Sequence, residues 1–144
     1  MIDVTVGISI NRPVEDVFRF VADTANDPKW HTDALEVRRM TDGPVGKGTT
    51  YHLRLKPSMG VSEGTVEMAE FQPNRRQVLR GDMGKMKPTI TYLFQPAGSG
   101  TAFTRRVQFE LPGMMRLMQP LVRGMVKKRN TAFLANLKRV LEQQ

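Results

Sequence analysis

Two histidines are the chain's only imidazole groups, and they are the first candidates for acid–base or metal chemistry. His31 directly follows Trp30, the single tryptophan, and precedes an aspartate by two positions, so it could act as a general base or begin a metal site. His52 alternates with apolar residues in a strand-like segment and is therefore expected to face solvent. Because two histidines without a cluster of carboxylates form no recognised ligand pattern, we predict no metal site and keep His31 as a weak catalytic candidate.

Two arginines stand where an apolar side chain is expected. Arg105 shares its strand parity with Phe103 and Val107 in TAFTRRVQF, which places it on the apolar face. A buried guanidinium needs a carboxylate, a water-filled pocket or an acidic ligand, unless a β-bulge or a sheet edge lets it reach solvent. Arg129 lies within an apolar stripe near the C-terminus, where its long side chain could also extend to solvent. Both arginines are therefore candidates to hold the acidic group of a ligand.

Trp30 lies just after three residues that favour turns, Asn26, Asp27 and Pro28. The favoured interpretation is structural: the indole closes a corner between a helix and the strand that follows. The functional alternative is that the ring lines the mouth of a cavity and stacks on a ligand, with its N–H as a polar contact. The structural and the functional interpretation of Trp30 are compatible with each other.

The elements that must position these residues follow from hydrophobic periodicity. Residues 4–10 alternate in polarity and predict a strand, and a short helix begins near Pro13 and ends near Asp23. Six further strands are predicted over ALEVRRM, TTYHLRLKP, SEGTVEMAEF, RQVLRGDM, PTITYLFQP and TAFTRRVQFE. Short turns of this kind favour an antiparallel sheet, so the fold class is α+β.

From Gly113 onward the period changes to that of a helix. Counted at 100° per residue, its apolar side is predicted to include Met114, Met118, Leu121, Val122, Met125, Ala132, Phe133, Asn136 and Val140. Pro120 and Gly124 predict a kink or break in the first third. This helix is the only long apolar stripe available to cover the sheet.

The order of elements, with RPVEDVFRFVADTANDPKWH, GPVGKGTTYH, EFQPNRRQVLRG and GSGTAFTRRVQFEL, resembles the START-related helix-grip superfamily (SRPBCC) and within it the polyketide cyclase/dehydrase-like group. The resemblance covers the chain nearly end to end. It implies a curved seven-stranded sheet wrapped on a long C-terminal helix, with two short helices after the first strand and an elongated apolar cavity inside. Members of the group bind lipids, hormones or polyketides there, and a minority catalyse cyclisation or dehydration.

Composition sets the remaining expectations. The 144 residues contain no cysteine and carry a net charge of +8, and we expect a single ligand-binding domain over residues 1–144, without cofactor. The N-terminus lacks the features of a signal peptide and no segment is apolar enough to span a membrane, which favours a cytoplasmic location. The excess positive charge lies on the outer helix face with few aromatics, so no specific nucleic acid is expected, whereas a weak contact with anionic membrane is kept as an alternative.

Three functions stay open at this point. The first is binding of a hydrophobic small molecule, a lipid or a polyketide-like compound, whose acidic group Arg105 and Arg129 would hold. The second is a cyclase or dehydratase using the same cavity, with His31 or a tyrosine hydroxyl moving a proton. The third is an interaction module that binds anionic membrane or nucleic acid through its basic helix face. Turnover and oligomeric state are left undetermined.

The ligand-binding residues are predicted from strand and helix parity. They are Trp30, Tyr51, Leu53, Tyr92, Phe94, Phe103, Arg105, Val107, Met114, Met118, Leu121, Met125 and Arg129. Ten methionines, Met83 and Met86 among them, add an adaptable apolar lining.

Overall fold

A computed structural model describes all residues, 1–144, and its core element is a seven-stranded antiparallel sheet. The strands are β1 (Ile2–Ile10), β2 (Ala34–Arg39), β3 (Thr50–Ser58), β4 (Val61–Gln72), β5 (Arg76–Asp82), β6 (Thr89–Ala97) and β7 (Gly100–Phe109). Two helices, α1 (Val14–Ala22) and a 3₁₀ helix (Thr24–Lys29), follow β1, and a second 3₁₀ helix (Gly113–Met118) leads into α2 (Gln119–Glu142). The predicted helix-grip fold is confirmed.

The sheet runs in the order β1-β7-β6-β5-β4-β3-β2, so six strands form a meander and β1 closes against the last of them. Alternation within each strand separates an apolar concave face from a polar convex face. Register shifts between Ala34 and Glu36, Arg54 and Ser58, and Met68 and Glu70 interrupt three of the ladders. Bulges of this type bend the strands, and here they give the sheet the curvature that makes its interior hollow.

α1 covers one end of the concave face. Its apolar residues recur at spacings of three and four, and Val17, Phe18 and Val21 are buried. Phe18 meets Phe94 of β6 edge to face, with ring centroids 5.0 Å apart. Aromatic side chains therefore fill the space between α1 and the sheet.

The C-terminal segment differs from the prediction in its phase and in the position at which its helix changes type. Residues 113–118 form a 3₁₀ helix, whose turn contains three residues, so an α-helical count begun at Gly113 is rotated by the time α2 starts. Pro120 lies in the first turn, where its missing N–H costs nothing, and α2 continues unbroken past Gly124 to Glu142. The predicted kink or break in the first third corresponds to the change from 3₁₀ to α-helix between Met118 and Gln119, and α2 is not interrupted at Gly124. The buried face consists of Val122, Val126, Asn130, Phe133, Leu134, Leu137 and Leu141.

α2 packs most extensively against β1, and polar contacts fix its C-terminal end. Arg12 donates to the carbonyl oxygen of Leu141 at 2.6 Å, and the Asn11 amide donates to Glu142 at 2.8 Å. These bonds hold the helix across the mouth of the curved sheet. No helix in the structure has both the length and the apolarity required to cross a bilayer.

Candidate functional site

A cavity of about 200 Å³ lies between the concave face of the sheet and α2. Most of its lining is apolar, contributed by β3 to β7 and by α2. The apolar lining includes Leu53, Leu55, Val66, Leu79, Ile90, Val107, Phe109 and Val126. The polar lining residues are Thr24, Asp27, His31, Asp33, Lys56, Ser58, Tyr92, Arg105, Arg129 and Asn130. The cavity is therefore an apolar pocket with a few polar groups, the composition typical of small-molecule sites.

Arg105 is the only basic residue among the buried side chains, with 4% of its surface exposed. β7 pairs without a register shift with both β1 and β6, so neither a bulge nor a sheet edge carries this side chain to solvent. Its Nε donates to Asn130 Oδ1 at 2.6 Å, and one Nη donates to the Tyr92 hydroxyl. No carboxylate forms an ion pair with it. The guanidinium thus reaches the cavity with only neutral acceptors bound to it.

Asn130 fixes the orientation of this arginine. Its Nδ2 donates to the Val126 carbonyl at 2.7 Å within α2, which leaves Oδ1 directed at Arg105. Asn130 was not among the residues predicted from the sequence, because the helix phase was counted from Gly113. In the observed phase it lies one turn after Val126, at a polar position within an apolar stripe, and that signal would have identified it.

Asp27 and His31 lie beside the arginine in the lining of the cavity. Burial raises the pKa of Asp27 to about 7, although the charge of Arg105 partly opposes this. Burial, reinforced by Arg105, lowers the pKa of His31 to about 3. Asp27 Oδ1 and His31 Nδ1 are buried without a hydrogen-bond partner in the chain. The inner end of the cavity therefore combines a fixed positive charge, a carboxyl that titrates near neutrality and a neutral imidazole.

His31 is held by aromatic packing. Its ring stacks on Phe133 of α2 with centroids 4.1 Å apart, and its backbone N–H donates to the Asp27 carbonyl at 2.7 Å. Asp27 lies at the end of the first 3₁₀ helix and Pro28 follows it. The turn that these residues form places the side chains of Asp27 and His31 in the lining of the cavity. Asp27 was predicted only as a residue that favours a turn, and nothing in the sequence marks it as buried.

Trp30 is fully buried at the corner that follows the 3₁₀ helix, as the structural interpretation predicted. Its ring lies 5.8 Å from the Arg105 guanidinium carbon and meets Tyr92 edge to face at 6.1 Å. It does not line the cavity. Its contribution to the site is indirect, because it supports the cation from behind through the face of the indole.

Arg129 stands at the rim of the cavity rather than inside it. Its guanidinium pairs with Asp33 at 3.6 Å and donates to the Ser58 hydroxyl at 3.2 Å, which connects α2 to β3 and to the corner after Trp30. The side chain is about half exposed. The predicted inward anchor is thus a rim residue, because its long stem carries the charge to the helix flank.

All the predicted site residues, taken together, separate into three groups. Seven of the predicted residues, His31 included, line the cavity: His31, Leu53, Tyr92, Arg105, Val107, Met125 and Arg129. Four are buried but outside the lining, namely Trp30, Tyr51, Phe94 and Phe103. Phe94 and Phe103 have the predicted parity but lie under α1, and the Tyr51 hydroxyl donates to Asp23 at 3.2 Å.

Met114, Met118 and Leu121 are the third group, and the structure places them away from the cavity on the surface. The reason is the 3₁₀ geometry of residues 113–118, which rotates this segment outward. Other methionines take the expected role: Met59, Met83, Met86 and Met125 line the cavity. Their unbranched side chains can adapt to guests of different shape.

No three His, Cys, Asp or Glu side chains converge on a point that could bind a metal ion. His52 is paired with Glu63 at 3.4 Å on the sheet surface, remote from the lining of the cavity. The polar groups of the cavity that lie closest together are a guanidinium, a hydroxyl and an amide, those of Arg105, Tyr92 and Asn130.

Comparison with known proteins relates the chain to others of the same architecture. The profile of the family described as polyketide cyclase/dehydrase and lipid transport matches residues 1–142. No curated protein sequence matches. Among solved structures, TTHA0849 from Thermus thermophilus superposes with a TM-score of 0.81 at 18% identity, covering 98% of this chain and 97% of that one.

Two further structures have the same fold. The Zhui aromatase/cyclase from Streptomyces sp. R1128 superposes with a TM-score of 0.76 at 12% identity, over 98% of this chain and 93% of the other. Ara h 8.0201 superposes with a TM-score of 0.73 at 14% identity, over 99% and 98% of the two chains. At these identities the structural likeness supports the fold alone.

Proposed function

The chain belongs to the polyketide cyclase/dehydrase and lipid transport family, and from that premise we propose that it binds a compact hydrophobic molecule that carries one anionic group. The apolar part of the guest would occupy the space under α2. The anionic group, a carboxylate, an enolate or a phenolate, would contact Arg105 at the inner end. Burial of apolar area would supply most of the affinity, at roughly 25 cal/mol per Å² before the costs of association.

The volume of the cavity limits the size of the guest. An apolar cavity of about 150 Å³ accepts a benzene molecule, whereas drug-sized ligands occupy pockets of about 300 to 1,000 Å³. At about 200 Å³ the present cavity suits one ring or two fused rings, or a short branched chain. A larger polyketide or a long acyl chain would require the methionines at the mouth to move.

One observation carries the proposal, namely the Arg105 charge that faces the cavity without a carboxylate partner. Taking a guanidinium out of water costs several kcal/mol, and neutral acceptors such as an amide and a phenol offset only part of that cost. An anion bound in the cavity would complete the pair. It would also be discriminated from a neutral analogue, because hydrogen bonds to a charged group contribute about 1.5 to 3 kcal/mol.

The experiment compares two probes of similar shape, 2-naphthoate and the neutral 2-acetylnaphthalene, by calorimetric titration. Arg105→Met should weaken naphthoate binding by roughly 10- to 100-fold, the equivalent of losing one charge-assisted contact, and should change the neutral probe by less than about threefold. Asn130→Asp is the sharper variant, because it gives the arginine an internal carboxylate and should reduce naphthoate affinity without removing the cation.

The control is Arg129→Met at the rim, which should leave the preference for the anionic probe intact. Equal losses for both probes in Arg105→Met, or tighter naphthoate binding in Asn130→Asp, would contradict the assigned role of the arginine. Failure of both probes to bind the wild-type protein would contradict the proposal itself.

A second candidate function, proton transfer of the cyclase or dehydratase type, is favoured by one observation: Asp27, with a pKa of about 7, lies in the lining beside Arg105. A carboxyl that titrates near neutrality is suited to donate and accept protons, and the arginine would stabilise an enolate. His31 is a poor base, because its pKa of about 3 keeps it neutral. Hydrogen–deuterium exchange at the α-carbon of a bound aryl ketone, abolished in Asp27→Asn while binding persists, would support this function. Exchange unaffected by that substitution would contradict it.

A further inference from the structure

Four large apolar side chains are exposed along the segment that joins β7 to α2. Met114, Leu117, Met118 and Leu121 are exposed by 83, 83, 49 and 69% respectively. Met114 and Leu117 are three residues apart and share one face of the second 3₁₀ helix, and Met118 and Leu121 follow on the exposed side of its junction with α2. We call these four residues the apolar ridge. Half of the exposed large hydrophobics of the protein lie in it, which is unusual for a surface that contacts only water.

Positive charge flanks the apolar ridge. Arg116, Arg123, Lys127 and Lys128 are exposed on the same segment and on the following turns, and no acidic residue occurs between positions 113 and 141. The carboxylate of Asp3 interacts with Arg123 but is held by two hydrogen bonds from Arg106. The four basic side chains, which we call the basic flank, are therefore not neutralised by the protein.

The apolar ridge begins next to a surface groove that shares residues with the cavity lining. A groove between the β3–β4 turn, the β5–β6 loop and residues 112–115 contains Met59, Val61, Met83 and Met86, and the same four residues line the cavity. Met115 lines this groove, and Met125, one turn beyond the ridge, lines the cavity itself. A surface that covered the ridge would thus lie next to this groove.

We propose that the apolar ridge and the basic flank dock the protein on an anionic lipid surface, an interaction that goes beyond the proposed ligand binding. The charge of the surface selects this occupant. A second copy of the chain would bring its own basic flank against the first, and nucleic acid would find no aromatic side chain to stack on between positions 110 and 132. Apolar side chains beside Lys and Arg, by contrast, are the composition of segments that lie in a membrane interface.

The docking would be superficial and sensitive to salt. Each Lys or Arg close to an anionic membrane contributes about 1 kcal/mol, which corresponds to roughly fivefold in the partition coefficient, so removal of two should weaken binding about 30-fold. The two leucines would enter the boundary between headgroups and acyl chains, and we expect about tenfold weaker binding when both become polar. Binding should fall steeply between about 0.1 M and 1 M salt, where the Debye length shrinks from about 10 to 3 Å.

The test is flotation of the full chain with vesicles of phosphatidylcholine, with and without phosphatidylserine. The paired variants are Leu117→Gln with Leu121→Gln, and Arg123→Gln with Lys127→Gln. The matched controls lie on the convex face of the sheet, Leu93→Gln and Arg80→Gln, where an exposed leucine and an exposed arginine are removed from a different surface. We expect flotation only with phosphatidylserine, loss in both paired variants and retention in both controls.

Three flotation results would overturn the proposal. They are equal binding to neutral and anionic vesicles, no binding to either, and loss of binding in the convex-face controls to the same degree as in the paired variants. Retention on immobilised polyglutamate without any flotation would also overturn it, since the surface would then bind an acidic protein. Naphthoate affinity measured without vesicles should be unchanged in every one of these variants, so failure of docking and failure of ligand binding are separately visible.

Discussion

Asp27 and His31 are expected to oppose each other in the pH dependence of folding stability. Burial raises the pKa of the Asp27 carboxyl from 3.8 to about 7, so the folded state holds this proton more tightly than the unfolded state does. The stability that the protonated carboxyl contributes is fully present below about pH 4 and is lost as the pH rises to about 7. A shift of this size corresponds to about 4 kcal/mol.

His31 acts in the opposite direction. Burial lowers its pKa from 6.5 to about 3, so the unfolded state binds a proton that the folded state excludes. The stability of the folded state therefore rises with pH between about 3 and 6.5, by about 5 kcal/mol in total. Between about pH 4 and 6.5 the two slopes, each about 1.4 kcal/mol per pH unit, have opposite signs and largely cancel in the wild-type protein.

Each single substitution removes one of the two slopes of unfolding free energy against pH and leaves the other visible. The assay is urea unfolding followed by the fluorescence of the buried Trp30, between about pH 4.5 and 6.5. Relative to wild type, Asp27→Asn should gain about 3 kcal/mol of unfolding free energy across this range, whereas His31→Gln should lose about 3 kcal/mol. The double variant should return to the flat profile of the wild type and serves as the control.

Other titrating groups do not affect the difference in unfolding free energy between wild type and variant, because they are present in both proteins. Asp3, whose pKa Arg106 lowers through a hydrogen bond, affects wild type and variants alike and disappears from the difference. Parallel stability curves for wild type and Asp27→Asn would refute the reasoning. They would mean that this carboxyl is ionised in the folded state and has found a partner.

Further substitutions test the packing that shapes the cavity. Gly64→Ala should destabilise the protein by about 1 to 3 kcal/mol in urea unfolding, because a Cβ would collide with Met83 and lie 2.7 Å from the Asp82 carbonyl oxygen. Gly124→Ala, with nothing within 4 Å of the added Cβ, should instead stabilise it by about 0.5 to 1 kcal/mol, and a loss there would contradict a continuous α2. Tyr92→Phe should cost about 1 to 3 kcal/mol, because it leaves an N–H of a buried guanidinium without an acceptor; an unchanged unfolding midpoint would argue against the observed contact.

Strand parity indicated which strand residues face the concave side of the sheet, because it depends only on a period of two, but it did not indicate which of them line the cavity, since Tyr51, Phe94 and Phe103 are buried outside the lining. Arg105, Tyr92 and Val107 reach the cavity as predicted, and no bulge interrupts β6 or β7 to alter their facing. The prediction of which helix residues are buried was less accurate, because an error in the starting position shifts the assigned face of every later residue. A short 3₁₀ segment before Gln119 was enough to move Met118 and Leu121 from the interior to the surface.

The burial of Asp27 and the volume of the cavity could not be read from the sequence. Asp27 lies in a stretch whose residues favour turns, and turns are usually exposed. Its burial depends on tertiary packing around the corner, where Trp30 meets Tyr92 of β6 and His31 stacks on Phe133 of α2, and such packing has no local signature. The volume likewise depends on how far three interrupted ladders bend the sheet, and on methionine side chains whose packing no periodicity specifies.

Packing alone gives no reason for a polar cluster at the inner end of this cavity. A leucine at position 105 would continue the apolar concave face of β7, and a buried charge bound only to neutral acceptors lowers stability relative to such a residue. Asp27 and His31 add to that cost, because burial opposes the charged form of each side chain and so shifts its pKa away from the ordinary value. The ligand binding proposed above would account for the cluster, because the anionic group of the guest would supply the missing negative charge. The free protein should therefore gain more stability from an anionic guest than the buried apolar area of that guest explains.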